Sequence, residues 1–439
     1  MQESHVSLTA YLRLLRGNVN FRRLWLAQII SEIGDLLYAV AIYSLLLELT
    51  DSAQAVATAV ILQVLPQVLV APVAGVLNDR LRRRMVMINA DVVRSVVVLG
   101  MLAAAHLENV WLIYALLLVE TVMWGFFEPA RSAIIPNLTA GHTEMLVANA
   151  LSSATWSFNL TVGSALGGML AVAFGRDAVF VVNAVSFLAS ALLLARIKVE
   201  EPHAEAMPPL RWKDLADFSP VFEGLRYVKK DARMIATLLL KGGLGLMGGH
   251  YVVIPIFGER IFPVHLGDAD ARRAGMLGMS LLMGARGLGA LLGPLFSGLW
   301  AGNDLGRMRK GVLYGFLGVT AGYGLLSASP TIAAASACVM LAHAGASTVW
   351  VFSTTMLQIQ TGDRFRGRVF SAEYAFLVLG ISLSTHVCGL AVDQGVNVRG
   401  VSLAIGLAAL APATLWGLAA LPLWRGEGGA AGAPDHPDA

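Results

Sequence analysis

Twelve apolar stretches, each able to cross about 30 Å of hydrocarbon and separated by short polar breaks, leave this chain few folds to choose from. Lipid offers no partner to a backbone amide, so stretches of this length must be helices. The spans read 22–48, 55–78, 85–105, 110–132, 145–172 and 177–196 in a first group. After a break at 197–232, rich in Pro and charge, they read 233–258, 274–301, 310–328, 331–358, 367–393 and 400–424. Charged residues are only 14% of the sequence and hydrophobic ones 56%, against about 25% charged in an ordinary soluble domain.

The basic residues fix an orientation. Alternate connections, beginning with the amino end, hold 24 Lys and Arg; the opposite connections hold five, namely Arg176, Arg260, Arg272, Arg273 and Arg399. Three more, Arg94, Lys241 and Arg286, lie inside spans. The positive-inside rule then puts both termini in the cytoplasm, at a bacterial-type inner membrane. The net charge of +3 reflects this bias and needs no nucleic-acid partner. The amino end is a polar stretch before a full-length span, so no cleavable signal peptide is expected. Cys338 and Cys388 both fall inside spans and read as small packing residues. The sequence has no phosphate-binding Gly-x-x-x-x-Gly-Lys-Ser/Thr loop and no cluster with metal-ligand spacing. No cofactor, no metal and no enzymatic centre are therefore expected, and any work must be driven by a gradient.

Six spans, a long connection and six more suggest a duplicated unit. Ala71-Pro72-Val73-Ala74-Gly75 closes span 2 ahead of Asp79 and a run of bases; Gly293-Pro294 and Gly298 close span 8 ahead of Asp304 and Arg307. The expected organisation is an all-α membrane protein. It has a cytoplasmic amino end at 1–21, a six-helix bundle at 22–196, a cytoplasmic linker at 197–232, a second bundle at 233–424 and a disordered tail at 425–439. Within the linker, Leu215, Phe218, Phe222 and Leu225 recur at helical spacing ahead of Lys229 and Lys230, which predicts an amphipathic surface helix over 214–230.

Between spans 2 and 3, Gly75-x-x-x-Asp79-Arg80-x-Arg82-Arg83-Arg84 resembles the signature loop of the major facilitator superfamily, with Arg82 in place of a second glycine. A glycine here lets helices approach closely, and an acid at a helix end can pair with bases or a neighbouring helix N-terminus. The resemblance implies that Gly75, Asp79, Arg80, Arg83 and Arg84 form a latch joining the two bundles on the cytoplasmic side in the outward-facing state. Phe21-Arg22-Arg23-Leu24-Trp25, Ser31-x-x-Gly34-Asp35, Gly125 to Arg131, Glu223 to Val228, and Leu357-Gln358-x-Gln360 running to Val369 are similar to the branch holding the enterobactin exporter and macrolide efflux proteins. Gly163-Ser164-Ala165-Leu166-Gly167-Gly168 resembles the antiporter motif of the superfamily, with Ser164 where proline is expected; Gly163, Gly167 and Gly168 are read as a helix-packing groove. Gly34-Asp35 and Gly167-Gly168 are also similar to the lysophospholipid transporter branch.

Ionisable side chains inside spans cost about 2.5–3.5 kcal/mol each at mid-depth, so each invites a functional reading. Asp35 lies about thirteen residues into span 1, about 20 Å at 1.5 Å per residue, and Glu32 one turn closer to the cytoplasm. Glu120 is near mid-depth of span 4. The family resemblance implies that spans 1, 4, 7 and 10 line the cavity, so Asp35, Glu32 and Glu120 are candidates for carrying a proton or binding a cationic group. Arg286 has no partner nearby in sequence and is left between an acid across the cavity, an anionic cargo and a packing role. His343, on span 10, is the best placed of His250, His343 and His386. Asp91 and Arg94, three apart, are expected to form a structural charge pair. Lys241 is expected to snorkel to the headgroups, and Glu373 to pack, with a latch base or the cavity as its alternatives. Tyr38, Tyr43, Trp124, Phe126, Phe127, Trp350 and Phe352 would suit a large apolar cargo. These features together point to a monomeric secondary transporter, with a small-molecule cargo, protons and membrane lipids as partners, exporting an amphipathic drug, macrolide or siderophore. The alternative is a lysophospholipid or other lipid transporter.

Overall fold

A computed structural model describes residues 8–201, 219–229, 231–265, 270–302 and 304–420, and among these residues the chain is helical with no strand. A short helix, α1 (Leu8–Gly17), precedes six long ones: α2 (Val19–Thr50), α3 (Ala53–Arg80), α4 (Arg83–His106), α5 (Val110–Leu138), α6 (Gly141–Phe174) and α7 (Arg176–Ala195). Then come a short α8 (Ser219–Val228), α9 (Ala232–Gly245), α10 (His250–Ile256), α11 (Ala271–Ala301), α12 (Leu305–Ser327), α13 (Ile332–Gln360), α14 (Asp363–Asp393), α15 (Val398–Ala408) and α16 (Leu410–Leu415). Polar caps start them: the side chains of Asn18, Ser52, Asn109 and Thr331 each accept a first-turn amide.

Eleven stretches are long and apolar enough to cross a membrane, with α9 and α10 counted together and α15 and α16 together. The twelfth expected span, 310–328, is the 23-residue helix α12, whose six glycines dilute its apolarity.

Neighbour relations recur between α2–α7 (the first set) and α9–α16 (the second set). In the first set α2 packs on α6 and α7, α3 on α5, and α4 on α5 and α7. In the second, α9 packs on α14 and α10 on α15, α11 on α13, and α12 on α13 and α15. The two sets meet mainly where α6 packs on α11 and α3 on α14.

One end of the molecule carries α8 and the turns at 81–82 and 361–362 and is termed the linker end; the other is the far end. Polar contacts between the sets cluster at the far end. Asp393, closing α14, accepts the Ala53 amide at 2.7 Å and the Ser52 hydroxyl at 2.5 Å, so it sits on the N-terminus of α3. Gln54 bonds His386 at 2.8 Å, Arg260 pairs with Asp51 at 2.6 Å, Arg272 pairs with Glu48, and Ser44 donates to Glu259 at 2.9 Å. The stretches 40–47, 252–258 and 274–280 are wholly buried at this end, while Glu32 and Asp35, nearer the linker end, are partly open. The helices are sealed together by polar contacts at the far end, and the acids nearer the linker end are the more exposed.

The seventh span departs from the expected continuous helix. After α9 the chain makes a glycine-rich turn at 246–249 and restarts as α10. A Cβ at Gly248 would stand 2.6 Å from the Ile381 Cα, so the break lets the backbone press against α14. The groups it frees are satisfied from α14: Ser384 accepts the Gly249 amide at 3.0 Å and donates to the Leu246 carbonyl at 2.5 Å, and Thr385 donates to the Gly248 carbonyl at 3.0 Å.

The amphipathic helix of the linker appears as α8, which lies against the start of α14: Glu223 pairs with Arg368 at 2.6 Å and Tyr227 stacks on Phe365 at 4.3 Å. Leu215, Phe218 and the tail 425–439 lie outside the described residues.

Candidate functional site

Arg94 of α4 is buried within the first set, and three acids converge on it. Its guanidinium meets Asp35 of α2 at 2.6 Å, Glu120 of α5 at 2.8 Å and Asp91, one turn back on α4, at 3.6 Å. Its far face rests on the Phe187 ring at 4.0 Å. The sequence separated three cavity candidates, Asp35, Glu32 and Glu120, from a structural pair, Asp91 and Arg94; the fold joins Asp35 and Glu120 to that pair. Asp91 is 0% exposed and Arg94 1%, whereas the Asp35 side chain is 24% exposed. With every acid ionised, three carboxylates against one guanidinium leave an excess of two negative charges. A proton or a cationic group arriving at the open edge, Asp35, offsets it.

Glu32 stays apart from this cluster. Gln28 donates to it at 2.8 Å and Asn159 of α6 at 2.7 Å. Arg131 donates to Gln28 at 3.2 Å and pairs with Glu128 one turn earlier. The Gly125-to-Arg131 stretch thus positions span 1, a role its sequence did not reveal; the i, i+3 spacing of Glu128 and Arg131 was the available signal.

Arg286 and His343 lie in the second set and touch neither acid site. Arg286 of α11 donates to the Tyr251 hydroxyl at 3.1 Å, and its guanidinium lies 4.7 Å from the centre of that ring. His250 lies tilted against the Tyr251 ring at 4.1 Å and meets the His343 ring edge-to-face at 4.8 Å, and His343 bonds the Tyr323 hydroxyl at 2.9 Å. Tyr251 and Tyr323 were not singled out from sequence; only the glycine run ahead of His250 marks the break that orients them. Lys241 corrects an expectation. It does not reach the headgroups but pairs with Glu373 at 3.1 Å and lies 4.1 Å over the Trp350 ring, because a buried acid on α14 offers more than a long reach to water. The same pair gives Glu373 a packing partner, as expected.

At the linker end Arg83 donates to the Ala133 carbonyl at 2.8 Å and Arg84 to the Ile197 carbonyl at 2.6 Å, both within the first set. Asp79 is 3.8 Å from Arg83 with its side chain 65% exposed, and Arg80 ends α3 half-buried. Gly75, expected to allow close helix approach, faces open space, since a Cβ there would meet no atom within 4 Å. The glycines of α6 do sit at contacts. A Cβ at Gly163 would lie 2.8 Å from the Leu36 side chain and one at Gly167 3.0 Å from the Leu37 carbonyl, while Gly168 abuts Ser280 and Leu277 of α11. Gly168 is therefore part of the seam between the sets.

A family model described as Major Facilitator Superfamily matches residues 24–385. A protein named as a bacilysin exporter, BacE, of Bacillus amyloliquefaciens is 26% identical over 327 residues, covering 74% of this chain and 77% of the relative. Macrolide efflux protein A of Streptococcus pyogenes is 24% identical over 393 residues, covering 86% and 91%. Among solved structures, the nucleoside transporter NupG superposes with a TM-score of 0.68 at 10% identity, covering 90% of this chain and 98% of that one. A bacterial homologue of the iron transporter ferroportin superposes with 0.64 at 17% identity, covering 93% and 99%. Similarity at these identities speaks for the fold alone.

Proposed function

The chain belongs to the major facilitator superfamily, and we propose that it is a proton-coupled secondary transporter exporting an amphipathic small molecule by alternating access. The carrying observation is the Arg94 cluster: three carboxylates on one buried guanidinium, with the Asp35 side chain the most exposed of them. Such a centre holds a proton or a cationic cargo group in turn, which is the exchange an antiporter requires. The efflux names of the two quoted relatives support the outward direction, and a lipid cargo has no counterpart among them.

In this reading α12 completes twelve crossings, the two sets are duplicated six-helix bundles, and the termini lie in the cytoplasm at an inner membrane. The far end is then external, and the conformation described here faces inward. The bases of the 79–84 loop would leave their first-set partners to latch the bundles when the protein faces outward. The protein acts as a monomer among membrane lipids, with the cargo and protons as its partners. Cells expressing the chain should grow at raised concentrations of particular compounds in a panel of macrolides, peptide antibiotics and siderophore conjugates, and should lose that advantage with Asp35→Asn. An unchanged profile across the panel would count against export.

A further inference from the structure

Glu259 stands near the end of the seventh span, at the far end, where the backbone is not an ordinary helix. The Phe262 amide reaches back five residues to the Phe257 carbonyl at 2.8 Å, closing a π-helical turn over Phe257–Ile261. Such turns carry one extra residue and recur at functional sites. This one is pressed onto α11, since a Cβ at Gly258 would run into the Met279 Cα. Gly275 of α11 leaves the room that the Glu259 side chain occupies: a Cβ there would stand 2.9 Å from its carboxyl carbon.

The carboxyl group lies on the seam between the two sets. The buried Ser44 of α2 donates to its Oε1 at 2.9 Å, while Oε2 is buried with no hydrogen-bond partner. The charged groups around it are matched to one another. Glu48 of α2 holds Arg176 of α7 at 2.6 Å and also Arg272 of α11. Asp51, after α2, holds Arg260 at 2.6 Å, and Arg273 turns to Asp270 at 3.8 Å. Among the described residues Glu259 itself makes no ion pair. A carboxylate oxygen that meets neither water nor a donor is costly, and a neutral acid is less so. The neutral acid can still accept from Ser44 at Oε1. Opening the far end parts α2 from the π turn and returns both oxygens to water, where the anion is well solvated. The sealed form thus accommodates the neutral acid better than the anion, and the open form reverses the preference. A proton that binds one of two conformations more tightly shifts the population toward it.

We propose that Glu259 is a proton-binding site of the far-end seal, separate from the Arg94 cluster, and that a proton taken up there closes the seal. Acid then favours the sealed form and alkali opens it. The proposal rests on the transport reading above in taking the far end as external, so that an outside proton returns the emptied transporter to its inward-facing form. The proton at the Arg94 cluster competes with cargo; the proton at Glu259 sets which end is open.

The test reads the seal itself, without cargo or gradient, so its outcome is independent of whether export is proton-driven. Labels at Trp111 and Val396, in a full chain without Cys338 and Cys388, report far-end distances by pulsed spin–spin spectroscopy in lipid nanodiscs. Spectra are taken at about pH 5 and about pH 8.5. The ratio of sealed to open molecules should fall about tenfold from acid to alkali. Glu259→Gln, neutral at every pH, should stay sealed at both. Ser44→Ala removes a donor from the anion and should enlarge the alkaline loss, whereas Asp35→Asn should leave the response in place. His106, paired with Asp177, and His386, bonded to Gln54, titrate at the same end and are intact in all these proteins. A Glu259→Gln protein that responds as wild type does therefore assigns the titration elsewhere and overturns the proposal. So does a wild-type protein whose distances ignore pH. Where Glu259→Gln fails to fold, Ser44→Ala decides, and a response no larger than that of wild type overturns the proposal.

Discussion

Lys241 and Glu373 form a closed pair, 5% and 1% exposed, that faces a tryptophan ring rather than the open part of the molecule. Removing one partner leaves an unneutralised charge in a dry site. Lys241→Met alone should therefore destabilise the protein by about 3–5 kcal/mol, whereas Lys241→Met with Glu373→Leu should recover most of it. Chemical unfolding of the purified variants reads both numbers, and equal losses in the single and double variants would show that the pair is not coupled. The Arg94 cluster has the same chemistry with the balance altered: three acids share one base, so it stays responsive where the Lys241 pair is complete. Every charge in both sites was visible in the sequence as an ionisable residue inside an apolar stretch. Their meeting was not, apart from Asp91 and Arg94 at helical spacing, because Arg94 is 59 residues from Asp35 and Lys241 is 132 from Glu373. Contacts across helices depend on how the helices rotate and cross, which a single span's pattern does not encode.

The broken seventh span is the element that most shapes the second set. Had α9 run on as one helix, the stretch leading to His250 and Tyr251 would be oriented differently toward Arg286. Glycines at 245, 248 and 249 permit the turn, and Ser384 satisfies the two backbone groups that it exposes. Ser384→Ala should cost about 1–3 kcal/mol, the penalty for leaving backbone groups unpaired in apolar surroundings, and should lower the thermal unfolding midpoint. Ser384→Thr, which keeps the hydroxyl, should lower it less. An Ala variant as stable as wild type would mean that water or a shifted backbone takes over the hydroxyl's role. Helix boundaries elsewhere follow the apolar stretches closely because lipid tolerates few alternatives to a helix. The break escapes that rule because protein, not lipid, supplies the missing partners.

For the whole molecule, the far-end seal sets the conformation. Asp393 sits on the first turn of α3 at a junction spanning 340 residues of sequence, and the Asp51–Arg260 and Glu48–Arg272 pairs stand beside it. Asp393→Ala should loosen this seal and raise the population that opens there. Pulsed spin–spin distances between labels at Trp111 and Val396, in a background without Cys338 and Cys388, should shift toward longer values; an unchanged distribution would assign the seal to apolar packing alone. The central claim is that Asp35, the partly open carboxylate of the Arg94 cluster, exchanges cargo for protons as the seal and the linker-end latch alternate. It is tested most directly in proteoliposomes, using compounds to which expressing cells gain resistance. Cargo should move against its own gradient when an opposing proton gradient is imposed, and Asp35→Asn and Glu120→Gln should abolish that drive. Transport indifferent to the proton gradient, and unaltered in both variants, would contradict the claim.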